Sequence, residues 1–424
     1  RCYVPYTLNP FSHKLNLTKS LLFLLSKHTL IRVLIVYGAL LIHPSLLGQK
    51  PLLEDVYFRA EARKGVEYLY DMQFERASEV FLELEATYPQ HPAPVFLQGL
   101  NRWWESYIAP EMDTYHGFIL EKLTQAIELN EALADLPTFE LEYTFFQYMS
   151  YAFKARLHTL RKEWLKAANA GRKAFPYLKK GFQFQERSPE FYFGSGIYHY
   201  YADEYPKTHP VIQPFMVFFP EASAEQGIAE LRKASDIQNF AQFEAAYYLG
   251  DIYLKRGQLY PGLRLQERLY HKFPHNTWFR MEYGRALVDV GKYEKAEEIL
   301  LQLVQAFEKQ EGYLTRNIVS TQSHYTTYLM SRVYLWLGKG YVLQNKLAQA
   351  EQALDLGINM AKLSQLSTDD EYLPGLHFYL GMAYDHSGNR TQAVLHFKKV
   401  LSCSQNLLYK KRTKACLKEA CTGS

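Results

Sequence analysis

Gly250-Asp251-Ile252-Tyr253-Leu254-Lys255-Arg256-Gly257 and Gly284-Arg285-Ala286-Leu287-Val288-Asp289-Val290-Gly291 decide the fold: the second stretch repeats the small and bulky places of the first, 34 residues on. Pro274 stands between them, near the end of the first period. The same frame fits Gly65, Tyr68, Phe74, Ala77, Phe81 and Pro89 near the start, and Gly381, Tyr384, Gly388, Ala393 and Phe397 near the end. Self-similarity at this period means stacked helix–turn–helix units.

The small residues account for the spacing. Gly65, Gly284 and Gly381 are expected where a second helix crosses the first, and Ala77, Ala296 and Ala393 at the reciprocal point, since small side chains let helix backbones approach. Phe279, Tyr283, Ala286, Leu287 and Val290 form one apolar stripe at helical spacing. Gly291 then ends that helix as a residue tolerant of the left-handed conformation. Tyr293, Ala296, Leu300, Leu303, Val304 and Phe307 form the next stripe. No alternating apolar run of weight predicts a strand.

These residues resemble the tetratricopeptide repeat family. The resemblance implies an all-α fold, an α-solenoid of stacked helix–turn–helix repeats wound as a right-handed superhelix. Repeats are expected at about 58–91, 243–276, 277–310, 331–364 and 374–407, with weaker ones beginning near Pro92 and Tyr148 and one between Phe191 and Ser235. In the last of these, Gly196 and Gly227 read as crossing residues separated by an insertion. The chain thus divides into a leader (1–48), N-terminal repeats (49–190), an interrupted repeat (191–235), C-terminal repeats (236–407) and a basic tail or capping helix (408–424).

The leader holds five basic residues and no acidic one, with an apolar run, Val33–Ile42, behind Arg32. These are the parts of a secretory signal peptide, so export to a bacterial periplasm or envelope is expected, with cleavage near Gly48. An uncleaved anchor over 21–42 is the alternative. Beyond the leader, 43 basic residues face 44 acidic ones, a balance that argues against nucleic-acid capture. The four cysteines offer no zinc spacing, although Cys416 and Cys421 are placed to pair.

Motifs for phosphate binding, metalloproteolysis, nucleophilic-elbow hydrolysis and dinucleotide binding are missing from the sequence, so neither enzyme activity nor any cofactor or metal is expected. His271 and His275 flank Pro274 and read as loop residues; Asp369, Asp370 and Glu371 read as a helix entry. His199, Asp203, Glu204 and His209 form the one mixed acid–base cluster, and a small-ligand or enzymatic site at 191–222 is the second reading. Phe215–Phe219 in that segment is expected to plug the groove, with a lid or a peripheral membrane contact as alternatives.

In tetratricopeptide proteins the first helix of each unit lines the concave face. The resemblance therefore implies a groove for a protein or peptide partner built from Trp103, Trp104, Tyr247, Asp251, Trp278 and Arg285, extended by Phe96, Met281, Asp289, Lys339 and Phe378. Ala62 and Val66 occupy the places where the family's carboxylate-clamp subgroup carries Lys and Asn, so that activity is not implied. The oligomeric state is left open.

Overall fold

The computed structural model describes residues 50–108, 115–208, 221–314, 326–364, 372–403 and 407–421. The leader, the Phe215–Phe219 run, His209 and the Asp369–Glu371 triplet lie outside them. Residues 56–424 form one compact unit, and the fold described here is that unit's.

Among the described residues it is all-α. Eight helix pairs follow one another: α1 (Val56–Tyr70) with α2 (Phe74–Thr87), α3 (Pro92–Ile108) with α4 (His116–Glu131), α5 (Glu140–Leu160) with α6 (Trp164–Gly181), α7 (Glu190–Thr208) with α8 (Ala224–Asp236), α9 (Gln242–Lys255) with α10 (Leu259–Lys272), α11 (Thr277–Asp289) with α12 (Tyr293–Leu314), α13 (Thr327–Leu343) with α14 (Leu347–Leu363), and α15 (Tyr372–His386) with α16 (Arg390–Ser402). The helix α17 (Leu407–Lys418) ends the series. Each helix packs chiefly on its neighbours in sequence, which is the α-solenoid of tetratricopeptide-like repeats.

The sixth pair shows how the sequence builds a unit. The Asn276 side chain caps α11 by accepting the Phe279 N–H at 2.8 Å, as an Asn before an apolar stripe should. Phe279, Tyr283, Ala286 and Leu287 then bury one face. Gly291 takes φ +79° and turns the chain into α12. Gly257 and Gly388 do the same in their units, whereas Met72, Lys162 and Asn345 adopt φ near +59° at the equivalent turns.

The crossing glycines lie where the period puts them, but what faces them differs from expectation. A Cβ on Gly284 would fall 2.5 Å from Leu300, and one on Gly381 2.6 Å from Phe397. The partner is thus a bulky residue one turn beyond the buried Ala296 or Ala393, filling the space that the glycine leaves. Gly196 and Gly227 cross backbone to backbone between α7 and α8. The helix α7 runs on through Pro206 to Thr208, so the Phe191–Tyr201 aromatic run is ordinary helix. Pro206 removes the N–H that would have met the Ala202 carbonyl, and the described helix continues past it to Thr208.

The row of repeats turns back on itself. Asn276 donates from Nδ2 to the Tyr70 carbonyl at 2.6 Å, and Asp71 accepts both the backbone N–H and a ring nitrogen contact from His275, at 3.0 and 2.7 Å. Tyr70 lies among Phe243, Phe273 and Phe279, with ring centroids 5.7–6.4 Å away. The first unit therefore packs on the fifth and sixth. A cavity of about 30 Å³ remains where the first, second, third and fifth units meet, among Phe58, Tyr70, Phe96, Phe146, Phe153 and Glu244, room for about one water.

Candidate functional site

The six residues expected to line a groove all sit on first helices: Trp103 and Trp104 on α3, Tyr247 and Asp251 on α9, Trp278 and Arg285 on α11. The superhelical turn brings them together, but most are occupied with one another. Trp103 stacks on Tyr107 at 5.1 Å, Tyr107 meets Trp278 at 5.7 Å, and the Trp278 indole N–H donates to the Tyr247 hydroxyl at 3.1 Å. Trp104 packs edge-on to Trp103 and Tyr70. All four aromatic residues are buried, as are Phe96, Met281 and Phe378. They are the filling of the inner axis, and nothing in this arrangement leaves them open to a ligand.

The polar pair behaves differently. Asp251 and Arg285 occupy the same place in consecutive repeats, one residue after the crossing glycine, and Lys339 follows Gly338 in the same way. Arg285 reaches Asp251 at 2.8 Å, Glu282 at 3.1 Å and Asp289 at 3.8 Å. Lys339 holds the other side of Asp289 at 2.5 Å, and Lys255 the other side of Asp251 at 3.0 Å. The result is a ladder of alternating charge across α9, α11 and α13, with Trp336 lying 5.2 Å beneath both Arg285 and Lys339. Burial pushes the Asp251 carboxyl up, but Arg285 and Lys255 outweigh it and hold it below the ordinary range. Burial wins at Glu282, whose carboxyl is raised despite Arg285. Asp251, Asp289 and Lys339 keep 14–17% of their side-chain surface exposed, so this edge of the axis is the part that meets solvent.

Three further groups carry the axis. Arg156 lies 4.2 Å over the Trp103 ring and donates to Glu244 at 2.9 Å and to the Tyr248 hydroxyl at 2.6 Å. Arg332, buried, is flanked by Tyr328 and Tyr372 at 3.6 and 3.9 Å. Arg156, Glu244 and Arg332 were readable by register though not by residue type: Arg156 precedes the turn residue Lys162 by six, as Asp251 precedes Gly257 and Arg285 precedes Gly291, while Glu244 and Arg332 precede Gly250 and Gly338 by six. Glu282 had a readable signal: it precedes Arg285 by one helical turn.

The mixed acid–base cluster is dispersed into structural contacts. His199 pairs with Glu230 at 2.7 Å, and Asp203 accepts the Ala224 N–H at the start of α8 at 2.8 Å. His275 is held by Asp71 and does not join His271. Among the described residues no group of three or more His, Cys, Asp or Glu side chains is arranged to hold a metal ion, and no helix is long and apolar enough to cross a membrane. Cys416 and Cys421 are disulfide-bonded.

Glu190, fully buried at the start of α7, accepts the Phe240 N–H at 2.9 Å and lies 3.6 Å from Arg59. Burial outweighs both and pushes its carboxyl from 4.5 to about 7. The unfolded chain gives up this proton near pH 4.5 while the folded one keeps it to about 7. The folded state therefore binds more protons in that window, and stability declines as pH rises through it. The loss is about 3 kcal/mol. Other groups, His377 and His396 among them, titrate in the same range, so the test is the difference in stability between wild type and Glu190→Gln, which should change by this amount across the window; parallel curves would mean that Glu190 ionises normally.

No family model matches the chain, and no curated protein matches it. Solved structures do: the apo form of RapI, at 16% identity over 75% of this chain and 80% of that one with a TM-score of 0.44, and the human IFIT1 dimer with PPP-AAAA, at 14% identity over 78% and 68% with a TM-score of 0.41. At these scores neither likeness bears on function, and the repeat architecture rests on the helix pairs themselves.

Proposed function

We propose that the chain is a non-catalytic scaffold that binds a protein or peptide segment along its first helices, and that it is exported and works in a bacterial cell envelope. The observation that carries the binding reading is the charge ladder Asp251–Arg285–Asp289–Lys339. Asp251, Arg285 and Lys339 hold equivalent positions on three helices, with Asp289 between the last two, and the ladder lies partly open to solvent and is backed by Trp336. A peptide with charges at matching spacing can exchange partners with the ladder, whose cations Arg285 and Lys339 are held in place over the buried Trp336 ring. The leader's composition supports export.

Panning a peptide-display library against the full chain tests the binding reading. Enriched sequences should carry paired acidic and basic residues, and Lys339→Met should weaken their binding about tenfold, as expected for one lost charged contact. Peptides that bind Lys339→Met as tightly as wild type would move the site off the ladder. Export is tested separately by the mass of the protein in envelope fractions, which should start near Gln49.

A further inference from the structure

One helix does not fit a solenoid that buries its bulky residues inward. Four of the five tryptophans are buried; Trp164, at the start of α6, is 63% exposed, and Leu165 beside it is 88% exposed. The fully buried residues of α6 are Ala170, Ala174 and Gly181, with Phe175, Tyr177 and Leu178 half-buried against neighbouring helices. Leu160, just before the turn, is also exposed.

Charge is concentrated on the same element. Residues 161–180 carry seven basic side chains and one acidic one, within a body beyond the leader that is otherwise acidic. Glu163 is shared by Lys166 at 3.0 Å and Arg161 at 3.7 Å, and Lys180 reaches Glu140 at 2.9 Å. Lys162, Arg172, Lys173 and Lys179 are exposed, and among the described residues none of the four pairs with a carboxylate. Leu165, Arg172 and Lys179 recur at steps of seven and share the outward face. Pro176, on that face, removes the N–H that would have met the Arg172 carbonyl, which water can satisfy there.

We propose that α6 and the turn before it form a docking face for a bilayer surface rich in anionic lipid. Trp164 and Leu165 enter the headgroup layer while Lys162, Arg172, Lys173 and Lys179 meet lipid phosphates. A basic helix face beside exposed Trp and Leu is the composition that seats a helix in the interfacial plane, and clustered cations add attraction to an anionic leaflet. Nucleic acid would satisfy the cations and offer stacking to Trp164, but it gives aliphatic Leu165 and Leu160 nothing to enter. This inference stands apart from the ladder, which lies on other helices.

The test is sedimentation of the full chain with phosphatidylcholine vesicles carrying about 30% phosphatidylserine, against pure phosphatidylcholine, at low and high salt. Binding should need the anionic lipid and be released by salt. Trp164→Ala/Leu165→Ala and Lys173→Glu/Lys179→Glu should each lower the partition coefficient by about tenfold or more. These positions are exposed, so unchanged melting and circular dichroism are expected and keep the comparison clean. Three results would overturn the proposal: no preference for the anionic vesicles, binding that both variants leave intact, or a variant effect seen on single-stranded RNA and not on lipid.

Discussion

Gly227→Ala should lower the stability of the protein by about 3 kcal/mol, the upper part of the overpacking range, and Gly227→Val should prevent folding. A methyl group at Gly227 would fall 2.5 Å from the Tyr200 backbone nitrogen, 2.7 Å from the Gly196 carbonyl oxygen and 2.9 Å from the Tyr200 Cα. All three are main-chain atoms of α7, so no rotamer change makes room and the two helices must separate. Gly284→Ala meets only Leu300 side-chain atoms, which can shift, and should cost less. Gly171, on α6, has nothing within 4 Å of a built Cβ. Its replacement by alanine should raise stability by about 0.5–1 kcal/mol through helix propensity alone. Denaturant midpoints at unchanged m-value check the series, and equal effects at Gly227 and Gly284 would place the α7–α8 crossing wrongly.

Arg285→Leu is the second large effect. It strips the shared cation from Glu282, Asp251 and Asp289, of which Glu282 is 1% exposed. Removing one partner of a buried ion pair costs about 3–5 kcal/mol, because the remaining charge stays desolvated. Most of that loss should return in Arg285→Leu/Glu282→Leu, where no buried carboxylate is stranded. A double variant as unstable as the single one would show that Arg285 acts through its packing on Trp336 and not through charge.

The period was legible because Gly250, Gly284 and Gly381 do a job that only a missing side chain can do. The turns were half legible. Gly257, Gly291 and Gly388 announce a left-handed residue, and Asn345 is the non-glycine type that most readily becomes one, but Met72 and Lys162 take the same conformation with side chains that usually avoid it. There the packed helices on either side impose the turn. Pro176 and Pro206 lie inside helices, which local rules discourage. For the site, first-helix placement of Trp103 and Trp278 could be read from the repeat, and their burial could not. Those residues meet only because the first two units come to lie against the fifth, sixth and seventh, an outcome of many small crossing angles and of no single residue.

Closure of the first unit onto the sixth also has a timetable. Tyr70 accepts from Asn276 across 206 positions of chain, and at roughly 5–20 residues per second those positions take about 10–40 s to synthesise. Throughout that interval the ring of Tyr70 waits for Phe243, Phe273 and Phe279 to be made. A nascent chain halted short of Asn276 presents an unfinished surface, and whatever shields it in the cell must act on the growing polypeptide, before the last three helix pairs exist.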